Sequence, residues 1–266
     1  MKIVVCVKHV PDATASRGFD ADDTVDRTSV DGLLSELDEY AVEEALTVRD
    51  AASDDAGEVV VLTVGPEQAA DAVRKSLQMG ADSGVHVVDD AVAGSDAPAT
   101  SQVLAKAIDK IGGWDIVLCG MASTDGSMGV VPAMLAERLG VPQVTYAAEV
   151  TVGGSAGSRT VTVRRDSDLA TETVEAKTPV VVSVTDQINE PRYPSFKGIM
   201  AAKKKPMETW SLADIGVDAS AVGLSAAWST VTSTVERPPR SAGTIVTDEG
   251  DGGTKLADYL ASQKFV

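Results

Sequence analysis

A glycine-rich loop just before a predicted helix is the clearest candidate for ligand chemistry. This glycine loop, Gly120–Gly129, contains three glycines, three hydroxyl side chains and one carboxylate, Asp125. Backbone N–H groups and hydroxyls ahead of a helix N-terminus can bind an anion. The loop is neither a Walker A sequence nor GxGxxG, and Asp125 would repel a phosphate unless it faces a ribose or caps backbone amides. From the pattern alone, a nucleotide site and a ligand-free βα turn both remain open.

A second candidate is the basic segment, Asn189–Lys205, which holds five basic residues and one acid in a chain of net charge −17. It also carries Tyr193, Phe196, Ile199 and Met200. Ser195 is predicted to cap a short helix that presents Phe196 and ends in the lysine run. Aromatic and methionine side chains rimmed by cations are typical of protein docking surfaces. The alternative is a solvated, lysine-rich helix end.

The remaining reactive side chains favour binding over catalysis. Lys8 follows a strand and could contact a phosphate, another subunit or only solvent. His9 has no acid or nucleophile nearby in sequence, and His86 lies in an apolar strand, which predicts a core or edge histidine. Cys6 and Cys119 lie in strands and are interpreted as small core residues. We therefore predict no catalytic residues and a binding module.

Composition excludes several classes of protein. The 266 residues are 44% hydrophobic, with 23 basic against 40 acidic residues and a pI near 4.4. This charge and the 4% aromatic content disfavour nucleic acid as a partner. Two cysteines exclude a disulfide framework or iron–sulfur cluster, and no metal site is expected. Both cysteines lie in predicted buried strands, which indicates a reduced, cytoplasmic protein. No apolar run approaches the roughly 20 residues of a membrane span, so we expect no membrane insertion.

The first half alternates predicted strands and helices. A helix follows the Ser35–Asp38 capping-box variant. The predicted strands are Ile3–Val7, Val59–Val64, Val85–Val88 and Trp114–Cys119, and the other helices are Glu67–Met79, Pro98–Ile111 and Val131–Leu139. This order predicts an α/β, Rossmann-like fold, an open and mostly parallel sheet with helices on both faces. Ligands bind such sheets beyond the carboxyl ends of the strands, where the glycine loop lies.

The second half predicts an antiparallel excursion and an extended C-terminal arm. Period-two alternation marks strands over Tyr146–Val152, Ser158–Arg165 and Thr171–Ala176, and Thr178–Val184 returns to buried-strand character. Residues Met207–Ser241 show no clear period, and Lys255–Lys264 predicts an amphipathic helix. The arm either embraces a partner or is a floppy tail.

The segment from Asn189 to Pro206 closely resembles the signature of the electron transfer flavoprotein β subunit family. Other motifs agree in order and spacing: Val7–Asp12, Glu39–Leu46, Gly65-Pro66, Met79–Asp82, Thr124–Gly126 and Leu139–Thr145. The resemblance covers essentially the whole chain. It implies a heterodimer with an α subunit that carries FAD. That heterodimer moves electrons from acyl-CoA and other flavin dehydrogenases, in fatty acid β-oxidation, to the membrane electron transfer flavoprotein–quinone oxidoreductase.

The resemblance also implies the site residues. The β subunit holds an AMP with a structural role and helps to hold the α-subunit FAD. The implied AMP contacts are Cys6, Ser35, Val64, Gly120, Met121, Ala122, Ser123, Thr124, Asp125, Gly126, Ser127, Met128, Gly129, Val130 and Val131. The implied dehydrogenase-docking residues are Arg192, Tyr193, Phe196, Lys197, Ile199 and Met200, with Phe196 where the family usually has a leucine anchor.

The resemblance divides the chain into a nucleotide-binding domain (1–186), a dehydrogenase-recognition loop (187–206) and an arm on the α subunit (207–266). Besides Phe196, two departures from the family are visible. Many members have Asn-Pro at Ser35-Glu36, and their loop usually reads Gly-Lys-Gln-Ala-Ile-Asp-Gly-Asp where this chain has Gly-Met-Ala-Ser-Thr-Asp-Gly-Ser. Two alternatives stay open: a flavin-bifurcating variant with a second FAD in the nucleotide site, and a stand-alone nucleotide-binding regulatory protein.

Overall fold

The computed structural model describes residues 1–52, 57–240 and 243–266, which form two units, Met1–Thr232 and Ser233–Val266. The strands are β1 Lys2–Cys6, β2 His9–Pro11, β3 Gly32–Leu34, β4 Glu58–Val64, β5 Ser83–Val87, β6 Ile116–Gly120, β7 Gln143–Ala147, β8 Glu149–Gly153, β9 Thr160–Asp166, β10 Thr171–Lys177, β11 Val180–Val184 and β12 Met207–Trp210. The helices are α1 Glu36–Ala51, α2 Ala70–Met79, α3 Ala97–Ile111, α4 Val131–Leu139, α5 Phe196–Ala202 and α6 Gly252–Ser262.

The main sheet of the described residues has the strand order β12-β5-β4-β1-β6-β11-β7, with every pair parallel. Alternate residues of each central strand face opposite layers: Ile3 and Val5 enter one apolar cluster, Val4 and Cys6 the other. Helices α1 and α2 cover the first cluster, and α3 and α4 cover the second. The predicted open α/β sheet with helices on both faces is thus confirmed.

Glycines end two of the covering helices, as the sequence predicts. Helix α2 stops at Gly80 with φ +141°, and α4 stops at Gly140 in the left-handed region. These are conformations that a β-carbon disfavours, so glycine lets the chain turn back to the next strand. Each helix carries the chain back across the sheet, so that the next strand runs parallel and the carboxyl ends of the strands lie at one edge.

The antiparallel excursion is a three-stranded sheet, β10-β9-β8. The prediction of one strand over Tyr146–Val152 is wrong, because the chain bends at Ala148, between the end of β7 and the start of β8. Tyr146, two residues earlier, has a φ of +57°. Strand β7 pairs with β11 of the main sheet, whereas β8 pairs with β9. Period-two alternation continues through the bend and therefore does not reveal it. The predicted return of Thr178–Val184 to the main sheet is confirmed by β11.

Residues 207–232, which the sequence assigns to the arm, belong to the first unit. The sequence shows no clear period directly after Met207, yet Met207–Trp210 forms edge strand β12 against β5. Four residues are too few to show a period, and the partner strand supplies the pairing. The second unit contains α6, on which Leu256 and Tyr259 are more than half exposed.

Candidate functional site

Three strand ends meet at the carboxyl edge of the sheet, because β4, β1 and β6 are neighbours. Cys6 is paired in register with Cys119, one residue before Gly120, and β4 ends beside β1 at Val64. Ser35 joins them, since its N–H donates to the carbonyl of Lys8 at 2.9 Å. The structure thus places the first three predicted nucleotide contacts, and the start of the glycine loop, at one edge.

The first turn of α1 is built differently from the predicted capping box. Ser35 is the N-cap residue, but its side chain makes no capping bond. The Asp38 carboxylate does not reach back to the cap either. It accepts the Lys8 N–H at 2.8 Å and a hydrogen bond from the Gly120 N–H. A capping box places its carboxyl at the third helical position in solvent, whereas here the strand ends cover it.

Burial of Asp38 has an electrostatic consequence. Removal from solvent raises the pKa of this carboxyl to about 7, although the Lys8 and Gly120 N–H groups favour the charged form. The contact also requires glycine at position 120, since a β-carbon there would lie 2.6 Å from Asp38 Oδ1 and 2.7 Å from the Leu37 carbonyl oxygen. Asp38 therefore joins β1, β6 and α1 at the base of the site.

Asp125 holds the glycine loop to the cations around it. Its Oδ1 lies 2.9 Å from Lys8 Nζ and its Oδ2 lies 2.7 Å from Arg27 Nη2, and its side chain is only 1% exposed. Burial alone would raise the pKa of Asp125, but Lys8, Ser123 and Arg27 lower it well below the usual range. Because these two cations balance the charge of Asp125, the carboxylate no longer has to repel a phosphate bound at the loop.

Arg17 and Arg27 are contributors that the sequence reasoning missed. Arg27 pairs with Asp125, and Arg17 Nη1 donates to the Thr124 carbonyl at 2.9 Å. Both lie in the connection between β2 and β3, far from the loop in sequence. The sequence offered one signal for them: they are the two basic residues in an otherwise acidic connection that follows the first strands.

Two buried hydroxyl groups near this edge have no hydrogen-bond partner in the described residues: Ser35 Oγ and Thr124 Oγ1. Buried polar atoms are almost always paired, so an unpaired one calls for an explanation. Helix α4 begins after the loop with no side-chain cap at Val130, which leaves its first N–H groups without a side-chain acceptor. Hydroxyls and free N–H groups suit the ribose and phosphate of a nucleotide, so the residues present fit AMP.

The rest of the glycine loop, with Val130 and the first residue of α4 after it, lies nearer to solvent. Met121, Ala122, Ser123, Gly129, Val130 and Val131 are half-buried, while Gly126, Ser127 and Met128 are exposed. Ser127 and Gly129 have φ of +53° and +66°. The Gly126 N–H is taken up by Asp125 Oδ1 at 2.7 Å and Ser123 Oγ at 3.2 Å.

The basic segment forms the predicted short helix. Ser195 Oγ accepts the Gly198 N–H at 3.1 Å and caps α5. Tyr193 and Phe196 are 89% and 79% exposed, Met200 and Lys197 are exposed, and Ile199 is half-buried. Arg192 differs from the others, because its guanidinium binds Glu43 of α1 through 2.7 Å and 2.9 Å bonds.

His86, Cys6 and Cys119 are buried, as predicted for core residues. His86 is buried in β5, with Nε2 3.0 Å from the Gly65 carbonyl oxygen. The Cys119 thiol has its pKa raised by a hydrogen bond with Cys6 and by burial, so it is a poor nucleophile. Within 1–52, 57–240 and 243–266, no group of three or more acidic, His or Cys side chains could hold a metal ion, and no helix is long and apolar enough to cross a bilayer.

Comparison with known proteins shows the family to which the chain belongs. Residues 22–215 match the model of the electron transfer flavoprotein domain. The chain is 48% identical, over 99% of both sequences, to the electron transfer flavoprotein subunit beta of Mycobacterium tuberculosis and to that of Mycobacterium leprae. It is 34% identical to the caffeyl-CoA reductase-Etf complex subunit CarD of Acetobacterium woodii, over 99% of the chain and 97% of the relative. The chain therefore belongs to the electron transfer flavoprotein family, among its beta subunits.

Proposed function

We propose that this chain pairs with an FAD-carrying α subunit and that the heterodimer moves electrons from acyl-CoA and other flavin dehydrogenases to a membrane electron transfer flavoprotein–quinone oxidoreductase. Beta subunits of this family are electron carriers. The observation that carries the proposal is the exposed Phe196, which stands on a capped helix in the segment most typical of the family. A cytoplasmic location and a role in fatty acid β-oxidation are part of the proposal.

In the nucleotide site we propose AMP, held by the fifteen residues that the family resemblance implies. Ser35 and Thr124 would contribute the two unpaired hydroxyls, and the loop backbone and the start of α4 would face the phosphate. Lys8 and Arg27 fix the loop through Asp125. AMP would supply no redox chemistry and would tie the strand ends to the loop.

In the docking site we propose that Tyr193, Phe196, Ile199 and Met200 meet an apolar pocket on the dehydrogenase, with Lys197 facing acidic groups around it. Exposed apolar side chains that cluster in one short segment, with cations beside them, are typical of a surface that binds a partner. Among the described residues, no ion pair engages Lys197, Lys203 or Lys204, so these charges are available to a partner.

The chemistry of electron transfer belongs to the flavins, which accept and release electrons when bound to the α subunit and the dehydrogenase. The residues of this chain form or break no bonds of the substrate in this proposal. They hold the partners at close range, and the sheet supports both the loop and α5. Because the rate of transfer depends on the separation of the flavins, docking geometry is the contribution of this subunit.

The experiment is to co-express the chain with an α subunit and count cofactors per protein. We expect a yellow complex with one FAD and one AMP per heterodimer, reducible by an acyl-CoA dehydrogenase with its substrate, and a colourless isolated β chain. Two FAD per heterodimer and no AMP would establish the bifurcating alternative. A β chain that stays monomeric beside the α chain would contradict the proposal and favour the stand-alone regulatory protein.

A further inference from the structure

The basic segment is fixed to the domain by contacts that the sequence does not predict. At its start, Asn189 Nδ2 donates to the Tyr40 carbonyl at 3.2 Å and to Glu44 Oε2 at 3.1 Å. Three residues later, the Arg192 backbone N–H and its Nε both donate to Glu43 Oε2, at 3.0 and 2.7 Å, while Nη2 reaches Oε1.

The Glu43 contact is strong for a surface region because one partner is almost covered. The Glu43 side chain is 10% exposed, whereas that of Arg192 is 39% exposed. Burial alone would raise the pKa of Glu43, but the bonds from Arg192 lower it, so the carboxylate stays charged at neutral pH. A bidentate arginine–carboxylate pair fixes orientation as well as distance.

Two further contacts fix the other end of the segment to α2. A β-carbon at Gly198 would lie 2.6 Å from the Gln78 carbonyl oxygen, so α5 packs directly on the α2 backbone. Lys205 Nζ donates to the Leu77 and Ala81 carbonyls at 3.0 and 2.6 Å, at the C-terminal end of α2. Between these ends, Tyr193 and Phe196 make no such bonds and face solvent.

We propose that Glu43 and Glu44 are positioning residues for docking: they bind Arg192 and Asn189 and so hold the basic segment in the conformation that presents Tyr193 and Phe196. This inference rests on the proposed function. It changes the role of Arg192 from a contact with the dehydrogenase to a contact within the subunit. A segment already ordered before binding loses less conformational entropy when the partner arrives.

The test uses the αβ complex and two measurements. Hydrogen exchange reports the order of residues 190–204, and steady-state reduction by an acyl-CoA dehydrogenase reports the KM for the complex and the kcat. Glu43→Gln keeps the shape of the side chain and removes its charge. We expect faster exchange in the segment and a KM raised about tenfold, from re-ordering a few side chains on binding, with kcat and FAD content unchanged.

Four other variants make the result specific. Arg192→Lys keeps the charge but loses the bidentate contact of the guanidinium with Glu43. We therefore expect a KM between that of the wild type and that of Arg192→Ala, and well below the latter. Asp166→Asn breaks a similar 2.7 Å pair with Arg164 in the antiparallel sheet and is the matched control, with no expected effect on docking. Phe196→Ala removes the anchor itself, so we expect a raised KM with wild-type exchange.

The outcomes separate this inference from the proposed function. If Phe196→Ala raises the KM and Glu43→Gln does not, the positioning role is overturned, whether or not the segment exchanges faster. If Glu43→Gln speeds exchange but neither it nor Phe196→Ala changes the KM, the docking function of the segment is overturned and the positioning role with it.

Discussion

Replacing Gly120 by alanine would place a methyl group between the end of β6 and the start of α1. The new β-carbon would lie 2.7 Å from the Leu37 carbonyl oxygen, 2.9 Å from its carbonyl carbon and 2.6 Å from Asp38 Oδ1. An ordinary contact begins at 3.4 Å, so the first turn of α1 has to retreat by roughly 0.7 Å against a close-packed core. Two of the three obstructing atoms are backbone, which cannot rotate away.

This displacement acts on stability and on the ligand site together. Overpacking of this kind costs about 1–3 kcal/mol, and each kcal/mol lowers the melting temperature of a protein of this size by about 2–4 °C. The retreat also separates the Gly120 N–H from Asp38 and moves Ser35 away from the strand ends. We therefore expect weaker AMP binding in addition to a lower melting temperature.

The assays are scanning calorimetry and isothermal titration with AMP on the purified complex. Gly153→Ala is the matched control, because it is also a strand glycine and its added β-carbon meets no heavy atom within 4 Å. If Gly120→Ala melts and binds AMP as Gly153→Ala does, the close contact between β6 and α1 does not set the geometry of this site.

Three further predictions concern the same edge of the sheet. Since the pKa of Asp38 is raised by burial to about 7, the folded state keeps a proton that the unfolded state releases near pH 4. The stabilisation of the folded state by the protonated Asp38 is therefore fully present below about pH 4 and is lost as the pH rises toward 7. Asp38→Asn should remove this one-proton slope from a plot of the unfolding free energy in urea against pH. The ion pair between Lys8 and Asp125, whose lysine is partly exposed, can be measured by a double-mutant cycle with Lys8→Met and Asp125→Asn. The unfolding free energies should give a coupling of about 0.5–1 kcal/mol. Purely additive effects would show that this ion pair does not hold the glycine loop. Ser35→Ala should leave the ligand-free protein at least as stable, because its hydroxyl has no partner among the residues that the structure describes. The affinity for AMP, measured by titration, should fall about tenfold, and Thr124→Ala should behave in the same way. An unchanged affinity in both variants would show that these hydroxyls do not bind the nucleotide.

The amino-acid sequence by itself determined the alternating strands and helices of this protein. Continuous apolar runs such as Val59–Val64 predict strands buried on both faces, and glycines such as Gly140 mark helix ends. These signals are local, because burial on both faces and a left-handed turn each restrict the residue types allowed at one position. For the same reason the sequence indicated the carboxyl edge as the ligand site and Ser195 as the cap of α5.

Tertiary structure decided which polar groups meet. Asp38 resembles part of a capping box in sequence, yet it binds Lys8, which follows β1, and Gly120 at the end of β6. Arg192 resembles a docking residue, yet it binds Glu43, which lies 149 positions away. A charged side chain accepts any nearby donor or cation, and which one is near depends on how strands and helices pack. The local sequence pattern does not show which of the distant groups will lie close together in the folded protein.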